Sequence, residues 1–291
     1  MIDDLPSMIS HPTDTYTIDN DKNASDLGTS VLQKIEDIVR VSGKRVAEAH
    51  GFTVENKGAR ENLVTSMDVE NERFLRSELT ELIPGSVFMG EEGDEAEILE
   101  KGYTWIVDPI DGTTNFSRGI PMIGISVALF KDGEPYIGVV YNPFTDILWK
   151  AEKGKGAFKN GKPIHVSDKE LADGIMCTAW CTYEKRLAPP CWQVSERMHP
   201  MINDIRRIGT AACELSMLAE GAVDLYFEIR LSPWDHAAAL TILDEAGGCH
   251  CAIEGDVVFD RPCPIIAANN RENLETILKV VREVFDGKTP Y

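Results

Sequence analysis

An apolar run in the middle of this chain ends abruptly on acid. Residues 103–107 read as a buried strand, and Asp108-Pro109-Ile110-Asp111-Gly112-Thr113-Thr114 follows at once. Two carboxylates three residues apart, with a proline between them, cannot both face a hydrophobic core. Pro109 fixes its own φ and biases Asp108 toward an extended conformation. Gly112 permits a tight turn or a close approach to a ligand. Thr113 and Thr114 are expected as N-cap residues of a following helical turn, whose free N–H groups suit an anion. Two hard oxygen ligands beside such a helix start are what a site for Mg2+ and phosphate requires. A plain acidic turn is the competing reading, since Asp-Gly is a common turn dipeptide.

Three other carboxylates bear on that choice. Residues 86–89 read as a short strand that ends in Gly90-Glu91-Glu92-Gly93, so a second strand delivers acid onto a glycine-flanked turn. Asp68 sits where a helix over residues 69–83 begins, and Pro84-Gly85 stops that helix. Asp235 opens a strongly apolar helix over 237–246, closed by Gly247-Gly248. Taken singly, Asp68 and Asp235 are accounted for as N-caps or helix-dipole partners. His236 reads as a structural neighbour, and Lys57 as a solvated loop lysine in the polar connection 51–62.

The rest of the chain is scaffold. Residues 1–24 are polar and read as a loosely ordered extension. Leu27, Val31, Ile35, Ile38, Val39 and Val46 make one helical stripe. From 123 to 166, strands around 125–130, 136–140, 147–149 and 157–158 are separated by turn dipeptides, an antiparallel meander. A second half follows, with strands near 175–180, 223–228, 249–253 and 264–268. Its helices are expected to run through about Glu220 and to end the chain. Pro189-Pro190 break the pattern over 184–203, so a loop is expected there.

Composition bounds the partners. The 291 residues carry 48 acids against 29 bases, a formal charge of −19, which argues against nucleic acid and anionic membranes. No apolar run approaches about 20 residues, so no spanning helix is expected. The start, Met1-Ile2-Asp3-Asp4-Leu5-Pro6, lacks the basic and apolar segments of a signal peptide. Seven cysteines, an odd number, fit reduced thiols in a cytoplasmic setting. Cys249-His250-Cys251 matches no usual zinc spacing and reads as core packing.

In order and separation, Gly90-Glu91-Glu92, the Asp108–Phe116 stretch and Trp234-Asp235 ahead of an alanine-rich helix resemble the inositol monophosphatase family of metal-dependent, lithium-sensitive phosphatases. Asn62-Leu63-Val64-Thr65 through Asp68, with Lys57 upstream, agrees, and the likeness runs from about residue 25 to the end. It implies an α/β fold, an α+β layered sandwich. In it a half over 25–166 carries most metal ligands, and a half over 167–291 carries Asp235 and the substrate pocket. It implies two to three Mg2+ ions. Glu91, Asp108 and the Ile110 carbonyl would hold the first; Asp108, Asp111 and Asp235 the second; a weaker third would share Glu91, near Asp68. Glu91, Thr113 and Asp68 would orient the attacking water, and Lys57 would belong to a mobile loop. Gly112, Thr113 and Thr114 would bind phosphate, while Asp111, Gly209, Thr210, Ala211 and Glu228 would line the substrate pocket.

The activity implied is hydrolysis of inositol 1-phosphate, or a similar polyol or sugar monophosphate, by a metal-activated water, in a homodimer. A fructose-1,6-bisphosphatase or histidinol-phosphate phosphatase on the same scaffold is the alternative. A non-catalytic phosphate-binding protein would lack one of the acids. The segment 178–198, with Trp180, Cys181, Tyr183 and Trp192, departs from the inositol-specific pattern, which leaves the leaving group open.

Overall fold

The computed structural model describes residues 24–57, 63–93, 97–182 and 184–291, with side chains from Val31 onward. The extension up to residue 23, Asn62, Tyr183 and the side chain of Leu27 lie outside the described residues. The elements, in chain order, are α1 (Ala24–Ala47), β1 (Val54–Asn56), β2 (Leu63–Thr65), α2 (Ser66–Leu82), β3 (Val87–Gly90), β4 (Tyr103–Asp111) and α3 (Thr113–Ser117). Then come β5 (Gly124–Lys131), β6 (Glu134–Asn142), β7 (Ile147–Glu152), β8 (Ala157–Lys159), β9 (Lys162–Ile164), β10 (Ile175–Thr178) and α4 (Ala188–Met198). The chain continues through β11 (Asp204–Arg206), α5 (Ala211–Ala219), β12 (Leu225–Leu231), α6 (Pro233–Glu245), β13 (Cys249–Cys251), β14 (Cys263–Ala268) and α7 (Arg271–Val284).

Among the described residues the strands form a seven-stranded sheet, β3-β4-β5-β6-β7-β8-β9, a five-stranded sheet, β11-β10-β12-β14-β13, and the pair β1-β2. In the larger sheet β3 runs parallel to β4 and the remaining pairs are antiparallel. The expected meander is present, and its Asp132-Gly133 and Asn160-Gly161 turns place both residues at positive φ, as two-residue hairpins favour.

Strand alternation explains the layering. Trp105, Val107, Val127, Leu129 and Val139 pack with Ile35 and Val39 of α1 and Leu75 and Leu79 of α2. Ile106, Ala128, Phe130 and Val140, one step out of phase, face α5 and α6. In the smaller sheet Cys177, Tyr226 and Ala267 face α5 and α6 too, while Met176, Phe227 and Ile266 pack with α4 and α7. The result is five layers: helices, sheet, helices, sheet, helices. The middle helix layer belongs to both sheets, so α6 is buried nearly all round, which is why it reads as apolar rather than amphipathic. Among the described residues no helix is long and apolar enough to cross a membrane.

Several expectations shift. Pro189 and Pro190 start α4 instead of breaking it, because the first turn of a helix needs no N–H from them. The polar connection 51–62 contains β1, paired with β2, and β11 adds an unforeseen edge strand beside β10. All seven cysteines are free thiols, and Cys249 and Cys251 pack against the same apolar layer.

The shared layer is tight. A Cβ added at Gly138 of β6 would lie 2.3 Å from the Ala238 carbonyl oxygen and 3.0 Å from Thr241 Cβ of α6. Gly138→Ala is therefore expected to lower stability by about 2 kcal/mol in urea unfolding. A loss under about 0.5 kcal/mol would mean the helix and sheet can separate at little cost.

Candidate active site

The strand β4 does not stop at Val107; it continues to Asp111. Asp108 pairs with Ser126 and Asp111 with Gly124, so three steps on β4 match two on β5. This is a β-bulge. In a regular strand residues three apart point to opposite faces. The extra residue restores the phase, and both aspartates reach the α5/α6 face. Pro109 suits the bulge because it has no N–H to give to a ladder. Asn71 Nδ2 donates to the Pro109 carbonyl at 2.8 Å, and the Ile110 N–H donates to Asp108 Oδ1 at 2.9 Å.

Helix starts converge on this bulge. Thr65 is the N-cap of α2 and Asp68 is the third helical residue of a capping box; Asp68 is not the cap itself. Asp68 Oδ2 accepts from the Thr65 N–H at 2.8 Å, and its Oδ1 is 2.9 Å from Thr113 Oγ1. Likewise Ser232 caps α6, which begins at Pro233, and Asp235 Oδ2 accepts from the Ser232 N–H at 2.8 Å. In each case one carboxylate oxygen serves the helix and the other is left for the site. The Thr-x-x-Asp and Ser-x-x-Asp spacings were the legible signal for these boxes. Gly112, in the left-handed region at φ 96, caps the short α3; Thr113 and Thr114 are its first two residues and not its caps.

Asp108, Asp111 and Asp235 each offer a carboxylate oxygen, and these oxygens lie within 4.8 Å of one another. Asp111 Oδ2 also accepts from Thr210 Oγ1 at 2.6 Å and from the Ala212 N–H at 2.7 Å. Glu91 and Asp68 stand outside that triad but close enough for their charges to act on Asp108. Thr113 Oγ1 lies 3.2 Å from the Ile110 carbonyl as well, so its proton serves that oxygen or Asp68. Lys57 is no solvated loop lysine: it pairs with Glu91 at 3.0 Å and with Glu92. Gly112, Thr113, Thr114, Gly209, Thr210, Ala211 and Glu228 share one cavity with Asp111 and Asp235.

Burial and mutual repulsion act together on these acids. Asp108 and Asp235 are pushed well above the usual carboxylate range, first by burial and then by neighbouring carboxylates. Burial raises Asp111 to about 7, against hydrogen bonds from Thr210 and Ala212. Glu228, which accepts from Tyr226 Oη at 2.8 Å, also rises to about 7 through burial. Among the described residues no cationic side chain lies within ion-pairing distance of Asp68, Asp108, Asp111 or Asp235; Lys57 pairs with the two glutamates, and its charge acts on Asp68 from farther off. An all-oxygen, buried and charge-deficient donor set fits a hard divalent cation. His236, by contrast, is fully buried and held down to about 3, a packing residue as expected.

The comparisons agree with this geometry. A model of the inositol monophosphatase family matches residues 21–285. The chain belongs to the inositol monophosphatase family. It is 36% identical over 269 residues to an inositol-1-monophosphatase of Rhizobium meliloti, covering 90% of this chain and 98% of that one. It is 35% identical over 225 residues to an inositol-1-monophosphatase of Bacillus subtilis, covering 75% of this chain and 83% of that one. The solved structure of extragenic suppressor protein suhB from Bartonella henselae superposes with a TM-score of 0.80 at 31% identity, covering 87% of this chain and 99% of that one. The layered sandwich is thus that of the sugar phosphatases, and the chain is a phosphoric monoester hydrolase.

Sequence reasoning missed some of the supporting residues. Glu214 is buried, raised to about 8 by burial, and its Oε1 accepts from the Ile208 N–H at 2.6 Å, which shapes the turn before Thr210. Glu72 accepts from the Glu92 N–H at 2.8 Å and so fixes the Glu91 turn. Nothing in the local pattern marked either, since each lies on an ordinary helix.

Asp111, Glu228 and Glu214 have folded values above the roughly 4 of an unfolded carboxyl, so folding favours their protonated forms. That contribution is full below about pH 4 and is lost as pH rises through about 7 to 8. In a chelator, the melting temperature is expected to fall by about 5 °C or more between pH 5.5 and 8, and divalent cation to restore it at pH 8. A chelated protein that is more stable at pH 8 would contradict the charge-deficient site.

Proposed function

We propose that this enzyme is a Mg2+-dependent phosphomonoesterase acting on inositol 1-phosphate or a similar polyol or sugar phosphate. The observation that carries the reading is the triad Asp108, Asp111 and Asp235, whose carboxylate oxygens lie within 4.8 Å of one another, the first two on the β4 bulge and the third on the first turn of α6. In this reading Asp108, Asp111 and Asp235 would hold one ion, and Glu91, Asp108 and the Ile110 carbonyl another. A third would share Glu91, with Asp68 nearby. When bound, Mg2+ would offset the charge of the phosphate dianion and ease both water attack and alkoxide departure.

The chain's own residues would do the remaining work. Thr113 Oγ1 donates to Asp68 Oδ1, which leaves its lone pairs to accept a proton-bearing water. Held there, with Glu91 as the second acceptor, the water would present its oxygen to phosphorus. Gly112, without a side chain, lets the backbone N–H groups of residues 112–114 approach the phosphate oxygens. In this step water adds to phosphorus as its proton passes to Glu91, the ester P–O bond breaks, the alkoxide takes a proton from solvent, and Glu91 returns its own to solvent. Glu228, on the cavity wall, would accept hydrogen bonds from ring hydroxyls. The same reading includes lithium inhibition and a homodimer in the cytoplasm. It assigns most metal ligands to the 25–166 half, with Asp235 and Glu228 in the other.

Asp108→Asn keeps an oxygen for the Ile110 N–H and removes one buried charge. It is expected to lower Mg2+-dependent release of phosphate from inositol 1-phosphate by roughly a thousandfold, about 4 kcal/mol of barrier, with circular dichroism unchanged. Activity near wild type in folded protein would remove Asp108 from the proposed role. Glu228→Gln is expected to reduce kcat/KM on inositol 1-phosphate about tenfold and on 4-nitrophenyl phosphate much less. Equal losses on both esters would show that Glu228 does not read the alcohol.

A further inference from the structure

The substrate cavity owes part of its wall to a second bulge. Glu228 of β12 pairs with Ile265 of β14 and Leu231 with Cys263, so three steps on β12 match two on β14. The packing records the change of phase. Tyr226 and Leu231 belong to the layer shared with α5 and α6, whereas Phe227 and Ile229 pack with α4 and α7. In a regular strand Ile229 and Leu231 would share a face. The bulge therefore falls between Glu228 and the start of α6, and Glu228, Arg230, Leu231 and Asp235 all line the substrate cavity.

Ladder support is short at this point. β10 ends at Thr178, opposite Phe227, and so offers Ile229 no partner. The Ile229 carbonyl is taken instead by Tyr291, whose Oη donates to it at 3.0 Å. The Arg230 guanidinium lies over the Tyr291 ring, 5.2 Å from its centroid. One side chain thus touches both residues of the bulge, and it does so from outside, since Tyr291 does not line the substrate cavity. The segment after α7 brings it there: the Gly287 N–H donates to the Arg282 carbonyl at 2.7 Å and the Thr289 N–H to Glu254 Oε2 at 3.0 Å.

Plain packing is the simpler account of Tyr291, and it fits poorly. The residue stays 43% exposed, so apolar burial gives it little hold. Its hydroxyl meets a backbone carbonyl where β12 leaves register with β14. The two ends of the bulge are not equally secured. Asp235 has anchors of its own in the Ser232 capping box and in the bond from Ser126 to the Trp234 carbonyl. Glu228 takes its side-chain hydrogen bond from Tyr226 on the same strand, which cannot fix the strand itself.

We propose that Tyr291 is a positioning residue for the alcohol end of the substrate cavity: by holding the Ile229–Arg230 bulge, it sets where Glu228 meets the substrate's hydroxyls. This rests on the phosphomonoesterase reading and on the role of Glu228 in it.

Two variants test it. Tyr291→Phe removes the hydroxyl and keeps the ring, and Tyr291→Ala removes both. With Mg2+, Tyr291→Phe is expected to raise KM for inositol 1-phosphate about fivefold, the worth of one hydrogen bond, with kcat within about twofold. KM for 4-nitrophenyl phosphate, which has no ring hydroxyls, is expected to stay within about twofold. Tyr291→Ala is expected to raise KM for inositol 1-phosphate about tenfold or more; should it fail to fold, Tyr291→Phe carries the test. A merely structural role would lower the melting temperature and act on both esters alike. That outcome, or an unchanged KM for inositol 1-phosphate, overturns the proposal. Hydrogen exchange reads the bulge without turnover: peptides spanning residues 226–232 are expected to exchange about fivefold faster in Tyr291→Phe, with β5 and β6 unchanged. Exchange over 226–232 equal to wild type overturns the proposal as well. If the wild-type enzyme cleaves neither ester, it is the phosphomonoesterase reading that fails, and exchange alone decides whether Tyr291 holds the bulge.

Discussion

The site depends on one irregularity, the bulge at Pro109 and Ile110. Without the extra residue, Asp108 and Asp111 would lie on opposite faces of β4, and one would be driven into the apolar layer beneath α1 and α2. With it, both reach the face where α5 and α6 begin. The bulge is held from the other side of the sheet: Asn71 of α2 donates to the Pro109 carbonyl and itself accepts from Ser42 of α1 at 2.9 Å. The outer helix layer therefore fixes a charge geometry that is used on the inner one.

Gathering buried acids is unfavourable, and the fold offsets part of the cost with helix starts. Asp68, Asp111 and Asp235 each accept hydrogen bonds at the first turn of α2, α5 or α6, where the free N–H groups and the helix dipole favour negative charge. The compensation is incomplete, since burial still raises every one of these acids. The remaining deficit of positive charge is what draws a cation. Lys57 supplies some of it, but at the Glu91 and Glu92 side.

The middle helix layer explains how distant parts of the chain meet. Ser126 of β5 donates to the Trp234 carbonyl at 3.1 Å, joining the meander to the first turn of α6. Small residues make that approach possible: Gly138 and the alanines of α6 leave no room for a branched side chain. Asp235 is thus delivered to Asp108 by packing between layers, not by any local signal around residue 235.

The sequence by itself determined the element types, the apolar faces and the identity of the acids. The run before Asp108, the hairpin dipeptides and the alanine-rich helix each carry a period or a turn chemistry that holds within one element. It also carried the capping spacings at Thr65 and Ser232, although the local pattern alone suits Asp68 and Asp235 as caps equally well. Only the tertiary structure decided that β4 bulges, that Lys57 lies against Glu91, and that Glu214 and Glu72 brace the turns. The physical reason is that periodicity fixes which side of a helix or strand is buried. Which element ends meet depends on strand register and on contacts between layers, set by residues some 100 positions apart, such as Thr210 and Asp111.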